Sequence, residues 1–291
     1  MGAVRFAPSP TGFLHQGHAF SALTAFETAR RLGARFVLRI EDIDFTRCRP
    51  WFEAAIFEDL AWLGLDWATP VLRQSEHVAD YLAALKTLED RGLVYRSFAT
   101  RKEIAEAALS APHGAPDGYR GAPLAADEEA ARLAAGKPFA WRLNLAAAQA
   151  AAGSLNFFEA GEGPDGAHGE IAVDAGPAGD VVLARKEVGV AYHLAVVVDD
   201  ARQGITEVVR GQDLFEAAHI QRLLQALLGL PEPRYHHHRL VRGPDGKRLA
   251  KRDHAETLRS FRQRGAAAAE LRSNLGFAAE PQSTMGSGEI A

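Results

Sequence analysis

Two periods of apolar residues alternate along the N-terminal part of the chain, and the switching between them predicts β-α-β-α order. Val4–Ala7 is a short apolar run that reads as a buried strand, ended by the Pro- and Gly-rich turn from Pro8 to Gly12. Apolar residues then recur at helical spacing from about His15 to Leu32, with Gly33 placed as a C-terminal stop. Phe36, Leu38 and Ile40 alternate as one face of a second strand. Phe52, Ala55, Ile56, Leu60 and Leu63 mark a helix over Trp51–Leu63, and Ser75 is the expected cap of another running through Leu88. Such alternation predicts an α/β fold with a parallel sheet.

The pattern then changes. From Thr100 to about Gly179 the chain is rich in Ala, Gly and Pro, its periodicity is weak, and Pro112–Gly121 and Gly161–Gly169 read as loops. This stretch is expected to be an insertion between two halves of the sheet domain. Beyond it, Leu194–Val198 reads as a strongly apolar strand ending in Asp199-Asp200. Gly204–Val209 reads as another strand, Leu214–Leu228 as a helix, and Glu256–Arg264 as helical. Phe13, Trp51 and Trp62 are expected in the core.

Composition narrows the class. The chain has 291 residues, 47% of them apolar, enough for a sizeable core. Cys48 is the single cysteine, which excludes an internal disulfide and any multi-cysteine metal site. No leader segment and no run of membrane-spanning length is visible, so a soluble cytoplasmic protein is expected. The net charge is −4, but Arg234–Arg264 holds ten Lys or Arg against three acids. That stretch therefore carries +7 and the remainder −11. A local polyanion site is one reading of this asymmetry, and a solvated helical face is the other.

The chemistry concentrates at the two ends. His15-Gln16-Gly17-His18 follows the first strand and its Pro-rich turn. A turn between strand and helix aims backbone N–H groups at phosphate, and the helix dipole favours the anion. His15 and His18 are three apart and project from one side of the first helical turn, within reach of an α-phosphate. Gly17 leaves room for adenosine against the backbone. Near the other end stands Lys247-Arg248-Leu249-Ala250-Lys251-Arg252-Asp253. A lysine on such a loop can neutralise a leaving pyrophosphate.

These two signatures resemble the HxGH motif and the lysine loop of class I aminoacyl-tRNA synthetases. Further runs narrow the resemblance to glutamyl-tRNA synthetases. They are Arg39-Ile40-Glu41-Asp42-Ile43-Asp44 with Arg47, Gly179–Leu183, Ala191–Asp200 and Val209–Leu214. Within that family the chain is similar to the short branch that acts on queuosine in tRNA(Asp), because only 27 residues follow Arg264 where longer members continue into an anticodon-binding domain.

The resemblance implies a Rossmann-type sheet with an inserted α+β subdomain. Its first half would be 1–95, the insertion 96–178, the second half 179–235, and the lysine loop, short helical part and tail 236–291. It implies a ligase that activates L-glutamate with ATP, without needing tRNA, and passes it to a hydroxyl of the queuosine base in the anticodon arm of tRNA(Asp). Mg²⁺ would accompany ATP, and a monomer is expected. His15, His18 and Lys251 would be catalytic, and Gly17, Arg248 and Leu249 would complete the ATP site. Arg5, Glu41, Ser9, Tyr192 and Arg210 would bind glutamate against a wall of Phe6, Ala7 and Pro8. Arginines supply forked donors for carboxylates, and Glu41 would accept from the α-ammonium. Without the resemblance, Glu41 reads as an ion-pair partner of Arg39 or Arg47. Asp42 and Asp44 are expected to orient neighbouring arginines.

Two departures stand out. Where the family often carries zinc-binding cysteines, this chain has Ser97 and Ala99, with Tyr119 nearby, so no zinc is expected and His113 is no substitute. Ala250 replaces the hydroxyl residue usual in the lysine loop. The run His236-His237-His238 would alternate faces on a strand, which disfavours a three-histidine metal site. Other readings stay open: a minimal glutamyl-tRNA synthetase charging the 3′ end of tRNA(Glu), a noncatalytic tRNA-binding module, and a nucleotidyltransferase.

Overall fold

The computed structural model describes residues 2–100, 103, 118–185, 189–241 and 256–279. At its centre lies β1 (Ala3–Phe6), buried along its whole length. It is flanked by β2 (Arg35–Ile40) and β10 (Ile205–Gly211). With β3 (Ala68–Arg73), β11 (Arg234–His238), β6 (Asn156–Glu159) and β7 (Gly169–Ala172) these form a seven-stranded sheet of order β3-β2-β1-β10-β11-β6-β7. Every neighbouring pair is parallel except β6–β7. A second, antiparallel sheet has the order β4-β5-β8-β9, from Val94–Ser97, Ala140–Leu143, Val182–Arg185 and Gly189–Val190.

Helices cover both faces of the large sheet, as a parallel sheet requires. On one face lie α1 (Gln16–Leu32) and α2 (Pro50–Trp62), sharing a core of Leu23, Phe26, Leu38, Ile56 and Leu60. Gly33, at φ 59°, ends α1 in the left-handed conformation that glycine adopts without strain. The other core packs α3 (Val78–Asp90), α5 (Leu145–Ala152), α6 (Tyr192–Gln203) and α7 (Phe215–Leu228) with the small sheet. The short α4 (Ala126–Ala134) has no buried residue. No described helix is long and apolar enough to cross a membrane.

Four local expectations need correction. Leu194–Val198 is not a strand but the middle of α6. This helix is packed against α3, α7 and β10, so its apolar residues run almost all round it and hide the helical period. Ser75 caps nothing: it lies in a 3₁₀ turn (Gln74–His77), and both its N–H and its hydroxyl donate to Asp42. Asp42 therefore orients Ser75 and not an arginine, whereas Asp44 does accept from Arg47. Trp51 is 58% exposed, not core. Strand pairing also crosses the expected subdomain limits. β6 and β7, from within 96–178, extend the large sheet, and β8–β9, from within 179–235, pair with β5.

The C-terminal segment is tied to the front of the molecule. Thr257 caps α8 (Leu258–Gln263), and the Leu258 N–H donates to the Leu14 carbonyl at 2.8 Å. Arg262 bridges to Asp59 and Glu58 on α2, and α9 (Ala268–Asn274) adds Leu271 to the first core. Residues from Glu280 onward lie outside the described residues.

Candidate active site

The C-terminal ends of β1, β2, β10 and β11 open onto a cavity of about 750 Å³, the usual position for a ligand in an open α/β sheet. Two loops form one rim. The Glu41 N–H donates to the Pro8 carbonyl at 3.1 Å, and the Arg49 N–H to the Pro10 carbonyl at 3.0 Å. These bonds clamp the turn after β1 to the loop after β2, which sets Ser9 beside Glu41 and Asp44.

Histidine does the capping at the start of α1, where Ser, Thr, Asp or Asn is usual. The Gly17 N–H donates to His15 Nδ1 at 3.1 Å, and the His15 N–H donates to His18 Nδ1 at 3.2 Å. Both Nδ1 atoms are therefore acceptors, which puts the ring proton of each neutral imidazole on Nε2. A side chain at position 17 would meet the His15 ring, since a Cβ there would lie 2.9 Å from Cε1. The cap thus fixes tautomer and ring orientation together and needs glycine between the histidines.

Beneath the rim lies a buried ionic ladder. Asp200, from α6, accepts from Arg5 Nε at 3.1 Å and from Arg39 Nη1 at 2.7 Å. Arg39 Nη2 donates onward to Glu41 Oε1 at 3.1 Å. Asp199 accepts from Gln74 and from the Tyr81 hydroxyl, each at 2.8 Å, and stands 3.9 Å from Arg39. Two guanidiniums face three carboxylates, a formal excess of one negative charge when all three are ionised, and burial pushes Asp199 above the usual carboxylate range. Burial pushes the Glu41 carboxyl above the usual carboxylate range, with Arg39 and Arg5 offsetting part of the effect. Asp200 is held below that range: burial opposes its charge, but the two arginines outweigh it. A cation placed against Glu41 would neutralise the cluster.

The opposite wall carries a cation. Arg210, at the end of β10 and 4% exposed, donates from Nε to His237 Nε2 at 3.0 Å and from Nη1 to Gln221 at 2.7 Å. His237 is on β11, and its Nδ1 lies 2.5 Å from Glu159 Oε2 on β6. Because Nε2 accepts from the arginine, Nδ1 must carry the proton donated to Glu159. Burial, and then Arg210, hold His237 below the usual histidine value, which keeps it neutral. The chain Glu159–His237–Arg210 leaves Arg210 Nη2 buried with no hydrogen-bond partner among the described residues. An unpaired buried guanidinium nitrogen calls for an anionic partner.

Arg5, Phe6, Ala7, Pro8, Ser9, His15, Gly17, His18, Glu41, Tyr192 and Arg210 all line this one cavity. Arg248, Leu249 and Lys251, with Ala250 and His113, lie outside the described residues. Their described flanks are at the site: Val241 lines the cavity, and Thr257 is bridged to His15. The pairing of Glu41 with Arg39, one of the two partners read from sequence, is present, whereas sequence reasoning missed Asp200, Gln221, His237 and Glu159 as supports. Only the Asp199-Asp200 pair after an apolar run offered a signal, since buried acids need partners. Ser97 is buried at the end of β4, and the Tyr119 ring lies 4.3 Å from the Arg142 guanidinium. Among the described residues no group of three His, Cys, Asp or Glu could hold a metal ion.

Comparison with known proteins agrees with this architecture. Residues 3–275 match the family model described as tRNA synthetases class I (E and Q), catalytic domain. The chain is 49% identical to a Glutamyl-Q tRNA(Asp) synthetase of Rhodobacter capsulatus, over 94% of this chain and 99% of that protein. It is 45% identical to a protein of the same name from Nocardia farcinica, over 91% of this chain and 80% of the relative. Against Glutamate--tRNA ligase 1 of Ruegeria pomeroyi the identity is 39%, over 91% of this chain but 58% of that one. Among solved structures, a glutamate tRNA ligase from Elizabethkingia meningosepticum in complex with its amino acid aligns with TM-score 0.77 and 25% identity. The alignment covers 94% of this chain and 60% of the ligase, so the chain spans less than two thirds of that structure. By sequence, strand order and the placing of its cavity, this chain belongs to the class I tRNA synthetases of the glutamate and glutamine (E and Q) family, which it matches through their catalytic domain.

Proposed function

We propose that this protein activates L-glutamate with ATP and transfers it to the queuosine base in the anticodon arm of tRNA(Asp), as a monomer in the cytoplasm. The observation that carries the reading is one cavity lined both by the Glu41 carboxyl and by Arg210, whose Nη2 has no hydrogen-bond partner among the described residues. Glutamate has that pattern of charge. Its ammonium would meet Glu41, with Ser9 and Tyr192 beside it, and its side-chain carboxylate would meet Arg210 Nη2. Glutamine would leave Arg210 unpaired, which disfavours it. Near-full-length identity to relatives named for glutamyl-Q tRNA(Asp) supports the acceptor.

Membership of the family implies ATP use. The Nε2–H groups of His15 and His18 would donate to the α-phosphate, with adenosine packed at Gly17, Arg248 and Leu249. The α-carboxylate attacks the α-phosphate in line, and pyrophosphate leaves towards Lys251. Mg²⁺ would arrive on ATP, held by the phosphates. In the second step a hydroxyl of queuosine attacks the carbonyl carbon of glutamyl-adenylate and AMP leaves. A second reading, charging of tRNA(Glu) at its 3′ end, is favoured by the identity to Glutamate--tRNA ligase 1 and by the alignment with the glutamate tRNA ligase structure.

Three outcomes test this account. Labelled glutamate, supplied with ATP, is expected on queuosine-containing tRNA(Asp) and not on the same tRNA lacking queuosine or on tRNA(Glu). Label on tRNA(Glu) would instead select the second reading. Arg210→Ala is expected to raise KM for glutamate by about ten- to a hundredfold in pyrophosphate exchange, the loss of a hydrogen bond to charge. An unchanged KM would place the carboxylate elsewhere. Glu41 binds an ammonium only when ionised, and its pKa is raised. KM for glutamate should therefore climb as pH falls, starting above about 4.3, where a free side-chain carboxylate titrates. Glu41→Gln should raise KM at every pH and remove that upper limb. A pH profile identical to the parent's would refute the role of Glu41.

A further inference from the structure

The loop from Ile43 to Arg49 and the first turn of α2 hold two aromatic rings in water. Asp44 accepts from the Thr46 N–H and hydroxyl and from Arg47 Nε. The Cys48 N–H donates to the Asp44 carbonyl at 2.9 Å. Arg49 donates to the carbonyls of Cys48 and Thr46, and its own N–H to that of Pro10. On this internally braced loop Phe45 is 60% exposed, and Trp51, in the first turn of α2 directly after it, is 58% exposed. A single exposed apolar residue is ordinary. Two large rings six positions apart, with arginines between them and the loop braced, are less so.

The rings continue into a row. Trp51 lies 5.8 Å from Phe52, Phe52 packs edge-on to Phe13 at 4.9 Å, and the Arg259 guanidinium stands 4.9 Å from the Phe13 ring. Arg47, on the loop that carries Phe45, pairs with Asp44, and its side chain is 72% exposed. Asp44 and Arg47 also line a recess of about 260 Å³ that shares Ser9, Glu41 and Tyr192 with the main cavity. The loop that carries Phe45 and leads into Trp51 therefore borders the recess beside the main cavity.

We infer that Phe45 and Trp51 form a stacking platform for the unpaired nucleotides of the RNA loop that carries the acceptor base. This rests on the function proposed above. Splayed bases stack on aromatic rings whatever their sequence, and flanking guanidiniums pair with phosphates. Arg259 beside Phe13 and the exposed Arg47 on the loop supply that charge. Continuity of this loop with the acceptor recess favours the substrate RNA over a separate ligand or a protein partner. Neither ring enters the site chemistry, so both can be truncated without touching adenylation.

The test compares parent protein, Phe45→Ala, Trp51→Ala, the double variant, Trp51→Phe, and Leu82→Ala as an exposed apolar control on α3. Glutamate-dependent pyrophosphate exchange without RNA should be unchanged in all. KM for queuosine-containing tRNA(Asp), at one salt concentration, should rise about tenfold per truncated ring, while Trp51→Phe and Leu82→Ala stay near the parent. Titration with the unmodified anticodon hairpin of tRNA(Asp) should quench the parent's tryptophan fluorescence far more than that of Trp51→Phe. Parental KM for RNA in the double variant, or equal quenching in both proteins, would overturn the inference. So would a double variant whose only change is in sedimentation, which would assign the rings to a second copy. A parent that transfers glutamate to no RNA would instead refute the proposed function.

Discussion

One buried carboxylate, Asp200, organises the centre of this molecule. It joins a guanidinium from β1 to one from β2, and through Arg39 it holds Glu41 at the cavity wall. Such charges are costly to desolvate and are tolerated only when paired and hydrogen-bonded. Removing one partner of a buried pair leaves an uncompensated charge, at about 3–5 kcal/mol. That cost constrains the geometry. The helix bearing Asp199 and Asp200 must end against the sheet, with Tyr81 and Gln74 placed to satisfy Asp199.

A second network positions Arg210 as the first positions Glu41. Glu159, His237 and Arg210 come from three adjacent strands, so sheet order itself sets their spacing. This gives a physical reason for β6 to leave the expected insertion and join the large sheet: its Glu159 fixes the tautomer of His237, and His237 aims Arg210. The cavity between the networks is polarised before any ligand enters. Preorganised charge of this kind needs no rearrangement at the moment of reaction.

Local features were legible in the sequence, and long-range ones were not. The first strand, the helix closed by Gly33 and the alternating Phe36–Ile40 strand follow from short-range periodicity and turn chemistry. His15 and His18 could be placed on one helical turn, but not as reciprocal caps, because capping by histidine is unusual. The helix around Leu194–Val198 was unreadable as a helix because burial on most sides erased its polar stripe. Asp200 and Glu159 could be flagged only as acids. Their partners Arg5 and His237 lie 195 and 78 positions away, and no local pattern reports such pairs. Trp51 follows the same lesson: helical spacing assigned it to the core, whereas the braced loop before it turns the ring outward.

On the proposed function, the protein alone assembles the amino-acid site, around Asp200. The decisive measurement is ATP–pyrophosphate exchange in the complete absence of RNA, with the parent and with Asp200→Asn. Glutamate-dependent exchange is expected in the parent, and in Asp200→Asn a strongly raised KM for glutamate with KM for ATP retained. Exchange in the parent only after RNA is added, or a parental KM for glutamate in Asp200→Asn, would contradict it.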